Sequence, residues 1–486
     1  MAPTEDDELE DGDPEAGEDG PGEPAFVGRV AELRLLEEAW RRRESAFIPI
    51  YGRRRVGKSE LILHFLRGKQ AIYHVGKVAP PALQLREFLE ESARALGEPL
   101  LAQLAVTDWR AALEAVTGRA KGKLAIVLDE FQWSAGASRE LPSVLQELWD
   151  RRWKKSGQVM LILCGSFVGF MERQVLGRKS PLFGRRTAQI HLQPFDYREA
   201  ALFHPSWSLA NRARAYFVCG GVPMYLKAFS PHRSVDSNIA DNLLGEFSPM
   251  FREPEFLLRE ELRGVENYHA ILNATAAGHT TISQIAQASG VPLRSMPYYL
   301  EQLVQLGYLA RHHALTGERP NLRNVRFLLD DPLLRFWFRF VFPHRSFIQK
   351  MGPARSYAEL IKPQIEAYYG TCFERLCREA LPDLHEREGI TAEIEVGQYW
   401  DKHVQIDVVG VRGDGWIDLG ECKWGPIASV PQVLAELEAK VVAFPNPNNA
   451  TLGRRVFART IPAAARRRTR PDAPVTWHSL EDLYAS

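Results

Sequence analysis

From Phe26 onward the chain alternates short apolar runs with longer stretches of helical period. The runs are Phe47 to Tyr51, Ala71 to Val75, Leu124 to Leu128 and Val159 to Cys164, with a weaker one at Gln189 to Leu192. Short apolar runs bounded by turn residues read as buried strands, and the helical stretches 58–67, 81–116 and 141–153 read as the connections between them. An α/β sheet domain is the prediction. Beyond about Glu260 the strand pattern stops. Helix-period positions then run from Asn267 to Leu309, with glycines at 278 and 290, a cap-like Thr281 and an early Pro292. Three helices joined by short turns predict an all-helical winged-helix unit, with Leu293 to Leu306 in the recognition position and a wing over Tyr308 to Phe327. The aromatic run Leu333 to Phe342 follows it. From about Tyr357 α/β character returns, with a helix over Gln364 to Ala380 and strands near Glu393 to Val396, Gln405 to Val409 and Trp416 to Cys422. The expected units are a leader (1–24), a P-loop NTPase sheet domain with a helical lid (25–260), the winged-helix unit (261–345) and a small α/β domain (346–486).

Composition narrows the class without naming a function. A chain of 486 residues, 45% hydrophobic and 25% charged, is neither collagen-like nor wholly disordered. Its formal charge is zero, but the charge is unevenly placed. Residues 1–24 hold eleven acids and no base, which leaves 50 acids against 61 bases in the body. The leader is poor in apolar residues and rich in Gly and Pro, so disorder is expected there, and it lacks the pattern of a signal peptide. The longest apolar stretch, near Val159 to Met171, is broken at Cys164, Gly165 and Ser166 and falls short of the ~18 residues a spanning helix needs. Five cysteines without a C-x-x-C pair argue against a disulfide framework and against a zinc site. The cytoplasm is the expected compartment. A basic body keeps DNA, or another nucleic acid, open as a partner beside a protein or a second copy of the chain.

The strongest chemical signal is Gly52-Arg53-Arg54-Arg55-Val56-Gly57-Lys58-Ser59, followed by Glu60. It fits G-x-x-x-x-G-K-[ST] after an apolar strand and before a helix, and chance matches in a chain this long occur on the order of one per cent of the time. Glycines let backbone N–H groups curl around phosphate oxygens, and the helix that begins there directs its positive end at the same charge. ATP and Mg2+ are the expected cofactors, with Lys58 reaching the β and γ phosphates and Ser59 on magnesium. Leu124 to Leu128 ends in Asp129 and Glu130, which places both acids at the carboxyl edge of the sheet. Asp129 would hold magnesium through water and Glu130 would polarise the attacking water. The strand Ala71 to Val75 lies between the two motifs in sequence and implies that another strand separates them in the sheet. Arg185, in Pro181 to Arg186, would add positive charge to the transition state in cis or from a neighbour, or belongs to a solvated basic loop.

Together with Phe26-Val-Gly28-Arg29, Glu32-Leu33, Gly165-Ser166, Gly184-Arg185 and Gly220-Gly221-Val-Pro223-Met-Tyr225-Leu226, these motifs resemble the archaeal-type ATPases of the STAND group, relatives of the AAA+ ATPases. The resemblance implies a γ-phosphate sensor at Ser166, where the bland reading is a turn serine. It also implies that Gly220, Gly221 and Pro223 touch the nucleotide from the lid, where the alternative is a helix-capping turn.

Further along, Asp407 lies on one candidate strand and Glu421 and Lys423 share a face of the next. If these strands pair, two carboxylates and an ammonium converge, an arrangement suited to magnesium-dependent phosphodiester cleavage, with Glu374 as a third acid. Glu374, Asp407 and Glu421-Cys-Lys423 resemble the restriction-endonuclease-like (PD-(D/E)XK) nucleases, with Ile406-Asp407 in place of Pro-Asp. Without that resemblance they read as charges on a solvent-facing sheet. Arg454, Arg455, Arg459 and the run Arg466 to Arg470 read either as solvated faces or as phosphate-backbone contacts. Arg294 and Ser295 begin the recognition segment, whose single base and single acid make a poor electrostatic footprint for DNA. His312 and His313 read as solvated wing residues. The functional expectation is a magnesium-dependent ATPase coupled to a winged helix and a nuclease-like domain that acts on or docks to DNA. Its alternative is an ATP-controlled switch or scaffold with an inactive nuclease-like domain that binds protein partners.

Overall fold

The computed structural model describes residues 26–318, 325–465 and 474–485. The first apolar runs form β1 (Ala46–Tyr51), β2 (Ala71–Val75), β3 (Leu124–Asp129), β4 (Val159–Gly165) and β5 (Ile190–His191), all parallel, in the order β2-β3-β4-β1-β5. Every position of β1, β3 and β4 is buried, because helices cover both faces of the sheet. One face packs Phe47, Trp109, Phe131 and Trp149, and the other packs Leu36, Ile48, Ile62 and Phe65. A strand does separate β1 from β3, but it is β4. The segment Ala71–Val75 stands at the sheet edge instead, consistent with its half-exposed pattern.

Helix α1 (Lys58–Leu66) follows β1, and the lid includes α2 (Leu209–Cys219) and α3 (Pro249–Glu261). The next unit holds α4 (Val265–Ala276), α5 (Ile282–Ser289) and α6 (Met296–Gln305). Thr281 caps α5 as its sequence suggested, accepting from the Gln284 N–H while the Gln284 side chain returns to the Thr281 N–H. The unit is not all-helical. An antiparallel pair, β6 (Leu309–His313) and β7 (Val325–Leu329), occupies the expected wing, whose residues 319–324 lie outside the described ones. Its alternation is confined to five residues a side, with Leu309, Phe327 and Leu329 inward, too short to stand out against the helices before it. His312 and His313 are half-buried strand residues rather than solvated ones.

After α7 (Pro332–Phe336), the helix α8 (Ile365–Arg387) runs past its expected end because Leu381, Leu384 and His385 are still buried. It packs on a mixed sheet of β8 (Ile394–Trp400), β9 (Gln405–Arg412), β10 (Trp416–Lys423), β11 (Thr451–Ala458) and β12 (Val475–Ser479), in the order β12-β11-β10-β9-β8. The first three of these strands are antiparallel and the last three parallel, and α9 (Val430–Ala443) connects β10 to β11. One hydrophobic cluster runs from Phe195 through the helical region to α8 and Leu483, crossing both expected boundaries at 260 and 345.

Two further expectations change. Arg455 is 4% exposed on β11, with Nε on Asp418 (2.9 Å) and its terminal nitrogens on Glu388 (2.8 and 2.7 Å), so it is a core ion pair and not a phosphate contact. Arg454 is paired with Glu438 and Arg459 with Glu366. The acidic leader and the run Arg466 to Arg470 lie outside the described residues. All five cysteines are free, and among the described residues no helix is long and apolar enough to cross a membrane.

Candidate functional site

Beyond Tyr51 the backbone must turn within a few residues into α1, and glycines make that turn possible. Gly52 has φ 156°, and a Cβ there would meet the Leu192 carbonyl oxygen at 2.2 Å. Gly57 has φ 91° and hands the chain directly to α1. Val56 is fully buried beneath the loop. Lys58 is 6% exposed, and its Nζ donates to the carbonyls of Gly52 (2.8 Å) and Arg53 (2.9 Å), inside the curl of the loop. Burial pulls its pKa below the ordinary lysine value.

At the facing strand ends the expected acids meet this loop. Ser59 Oγ donates to Asp129 Oδ2 at 2.7 Å, and the Tyr73 hydroxyl donates to the same oxygen. Asp129 Oδ1 accepts the Glu130 N–H at 2.8 Å. Glu130 has φ 47°, in the left-handed region, where β3 gives way to the following helix. Ser166 Oγ, at the end of β4, donates to Glu130 Oε2 at 2.8 Å, and the Gln132 amide donates there too. Lys58, Ser59, Asp129, Glu130 and Ser166 are therefore brought together by β1, β3, β4 and α1. The Ser59 hydroxyl and the Asp129 carboxylate are hard oxygen donors, adjacent and at the head of a helix. Magnesium takes one or two protein oxygens and fills its octahedron with water and phosphate, so these residues fit it.

The remaining expected nucleotide residues divide. Pro223 Cγ lies 3.6 Å from where a Gly57 Cβ would be, so the Gly220–Pro223 turn abuts the phosphate loop. Gly221 accepts the Phe195 N–H at 2.8 Å, and a Cβ there would overlap the Phe195 carbonyl oxygen at 1.7 Å. The side chains of Arg53, Arg54 and Arg55 do not gather free positive charge in the loop. They pair with Asp331, Glu260 (3.1 Å) and Glu253 respectively, and Glu60 pairs with Lys227. Arg185 forks onto Asp150 (3.0 and 2.7 Å) and bonds the carbonyls of Pro181 and Phe183 in its own loop.

Sequence reading gave no task to Tyr73, Gln132, Asp331 or the α3 acids Glu253 and Glu260. It quoted Arg29 without giving it a task. Arg29 is 5% exposed, donates to the carbonyls of Val56 (3.1 Å) and Gln193 (2.6 Å), and lies 3.9 Å over the Phe195 ring, tying the first described residues to the loop.

A second cluster forms where β9, β10 and α8 meet. Asp407 and Glu421 are 8% and 5% exposed, and Asp407 Oδ2 accepts the Cys422 N–H at 3.0 Å. Burial, then the charges of Asp407 and Glu421, push Glu374 up to about 7, and burial and Glu421 raise Asp407. The expected convergence of Glu374, Asp407, Glu421 and Lys423 is present. An unexpected lysine joins it: Glu421 is gripped by Lys423 (2.9 Å) on one oxygen and by Lys440 (2.5 Å) on the other, while Lys423 also reaches Glu436 (3.0 Å). Among the described residues no group of three or more His, Cys, Asp and Glu side chains is placed to hold a metal ion. Ammonium groups take both Glu421 oxygens and a backbone N–H takes Asp407 Oδ2 in this arrangement.

Another α8 acid sets a pH dependence. Glu379 accepts the Tyr216 hydroxyl on both oxygens (3.0 Å each), and burial pushes its pKa up to about 7 against that bond and the Arg375 charge. Its folded value lies above the unfolded one, so the folded chain keeps a proton that the unfolded chain has released, and stability falls as pH rises from about 4.5 to 7. Glu379→Gln is expected to match the parent near the bottom of that window. Near pH 8 it should be more stable by about 1–2 kcal/mol, the shift being discounted for partial exposure. Thermal melts of both proteins across the window check this, and equal melting curves at every pH would refute it.

Comparison with known proteins agrees with the geometry of the first site. Residues 26–229 match the family model described as an ATPase domain predominantly from Archaea, and residues 337–433 match one described as archaeal and bacterial proteins of unknown function. An uncharacterized protein of Methanocaldococcus jannaschii is 28% identical over 405 residues, 82% of this chain and 87% of its own length. An uncharacterized ATP-binding protein of the same organism is 49% identical over 45 residues, 9% of this chain and 76% of its own length. A Walker-type ATPase of Pyrococcus abyssi is similar in structure at TM-score 0.49 and 19% identity, over 65% of this chain and 96% of that one. The chain thus carries, on residues 26–229, an ATPase domain of the P-loop class.

Proposed function

We propose that the protein is a magnesium-dependent ATPase whose nucleotide state controls a winged-helix unit (261–345) and a restriction-endonuclease-like domain (346–486) that docks to DNA. The observation that carries the ATPase half is the 2.7 Å bond from Ser59 to Asp129 beside Glu130 and Ser166. Magnesium bound by Ser59, and through water by Asp129, would supply charge neutralisation on the phosphates. The Lys58 ammonium exchanges the Gly52 and Arg53 carbonyls for β and γ phosphate oxygens, a favourable exchange because the group is already desolvated. Glu130 orients and polarises the attacking water once Ser166 turns from its carboxylate toward the γ-phosphate. Gly220, Gly221 and Pro223 carry the lid against the nucleotide. Arg185 would add positive charge to the transition state, in cis or from a neighbouring copy, only on leaving Asp150.

Docking is favoured over cleavage by the two lysines that hold both oxygens of Glu421. The excess of 61 bases over 50 acids beyond the leader suits an anionic partner, and the exposed Arg294 stands at the start of the recognition segment. The cytoplasm is the compartment this reading implies. Cleavage is kept as the second reading because Glu374, Asp407, Glu421 and Lys423 do converge. The test is a matrix of magnesium and ATP over single-stranded, duplex and branched DNA and over RNA. Docking predicts ATP-dependent binding with every strand intact. Magnesium-dependent degradation lost in Lys423→Ala would overturn docking in favour of cleavage, and absence of ATP hydrolysis under all conditions would end the ATPase reading.

A further inference from the structure

A cavity of about 1240 Å3 lies where the three units meet. One end opens on Ser166 and Arg53 at the carboxyl edge of the ATPase sheet, and the other is walled by α7, β6 and α8. Small-molecule sites commonly measure ~300–1,000 Å3, so there is room for a nucleotide or for several linked ones.

The far wall includes Arg335 and Arg339 beside Tyr368, with Arg375 and Arg378 further along α8. Two of these are engaged: Arg375 pairs with Asp330 (2.7 Å), and Arg378 donates to the Asp407 carbonyl oxygen (2.5 Å). Arg335 and Arg339 have no carboxylate partner among the described residues. Arg335 Nε reaches only the Tyr368 hydroxyl, at 3.5 Å, and the two guanidinium groups stand 5.9 and 5.8 Å from the Tyr368 ring. Tyr368 is itself 1% exposed and donates to the Phe217 carbonyl at 3.1 Å, so it is a fixed prop between the arginines. Counter-charge on this wall is thin. Glu379 holds a proton up to about 7, and His312, pulled down to about 4 by burial and by Arg378, is uncharged near neutrality. Of the other acids of the cavity, Glu172, Asp196 and Glu261 come from the ATPase side and the lid, while Asp331 caps α7 on the wall itself and is already bound to Arg53. Guanidinium groups brought together repel one another unless an anion sits between them, and their planar forks match phosphate oxygens.

We propose that this wall is a second phosphate-binding site, distinct from the phosphate loop, which takes the phosphates of a nucleoside polyphosphate or of a nucleic-acid strand. The site requires neither DNA cleavage nor the winged-helix contact. Its place does make it responsive to the first site, since Asp330, bound to Arg375, adjoins Asp331, bound to Arg53 of the loop.

The test uses the full chain carrying Lys58→Ala, which silences the phosphate loop. Binding of a fluorescein-labelled oligothymidylate is followed by anisotropy, and binding of inorganic tripolyphosphate by calorimetry. Both are repeated with Arg335→Gln/Arg339→Gln and with Arg335→Lys/Arg339→Lys, each checked by its melting curve. Loss of a charge-assisted phosphate contact is worth about tenfold or more. The Gln pair is therefore expected to weaken at least one probe by about tenfold, and the Lys pair to retain most of the affinity. Loss confined to the oligonucleotide identifies a strand as the occupant, and loss of tripolyphosphate identifies a small polyphosphate. If the Gln pair melts early, Arg339→Gln alone, at an exposed position, gives the readout. Unchanged binding of both probes in a folded Gln variant would overturn the proposal.

Discussion

Glu130→Gln is expected to bind ATP within about twofold of the parent while its steady-state hydrolysis falls by about 10²–10⁴. The amide keeps the shape of the side chain and can still accept from Ser166 and Gln132, the two groups that hold Glu130 Oε2. What it loses is the negative charge that polarises the attacking water. Lys58→Ala should fail at the earlier step. Its ammonium is the loop's own buried cation, held by two carbonyls, and its removal leaves those carbonyls facing the phosphates, so nucleotide affinity should drop by more than about 100-fold. Equilibrium binding of a fluorescent ATP analogue, set beside phosphate release, separates the two variants. Unchanged turnover in both would remove the ATPase assignment of these residues, and loss of binding in Glu130→Gln would move Glu130 from water activation to nucleotide binding.

The parts of this site that were legible in the sequence are those built by adjacent residues. A strand, a turn and a helix fix the positions of Gly52 to Ser59 with little help from elsewhere, and a strand that ends in Asp129-Glu130 delivers both acids to the same sheet edge. Ser166 was legible for the same reason, as the residue after β4. Partners distant in sequence were not. Asp331 lies 278 residues from Arg53, and Tyr73 lies 56 from Asp129, so no local pattern could join them. That another strand separates β1 from β3 was legible, but its identity as β4 and the edge place of β2 were not, because strand order follows burial on both faces, which a five-residue run barely records. Arg455 was misread for a related reason. Next to Arg454 it resembles a surface pair, yet the acids that make its burial tolerable, Asp418 and Glu388, are 37 and 67 residues away. Lys440 escaped notice as an ordinary helix lysine, and it is the residue that most changes what the second acid cluster can do.

Asp331→Asn tests whether the two sites communicate. Asp331 is 4% exposed and serves two elements at once: Oδ2 takes Arg53 of the phosphate loop, and Oδ1 accepts the Leu334 N–H at 2.8 Å and caps α7. The preceding residue, Asp330, receives Arg375 of α8 on both its side chain and its carbonyl at 2.7 Å each. One dipeptide therefore stands between the loop and the helix that carries Glu374. Incoming triphosphate competes with Asp331 for Arg53, because its charge is larger and closer to the loop. Release of Arg53 would free the start of α7, and Asp330, bound to Arg375, would convey the movement to α8. Asparagine keeps the cap acceptor and discards the charge that holds Arg53. The variant is expected to stay folded, to bind ATP several-fold more tightly, and to lose the ATP dependence of the DNA docking proposed above, a coupling of about 5–150-fold in systems of this kind. Hydrogen exchange of the α8 amides with and without ATP reads the same event directly. In the parent, ATP should change exchange across residues 365–387, and in Asp331→Asn that difference should vanish. An ATP effect on α8 of equal size in both proteins would show that the signal travels by another route, through Glu253 and Glu260 of α3.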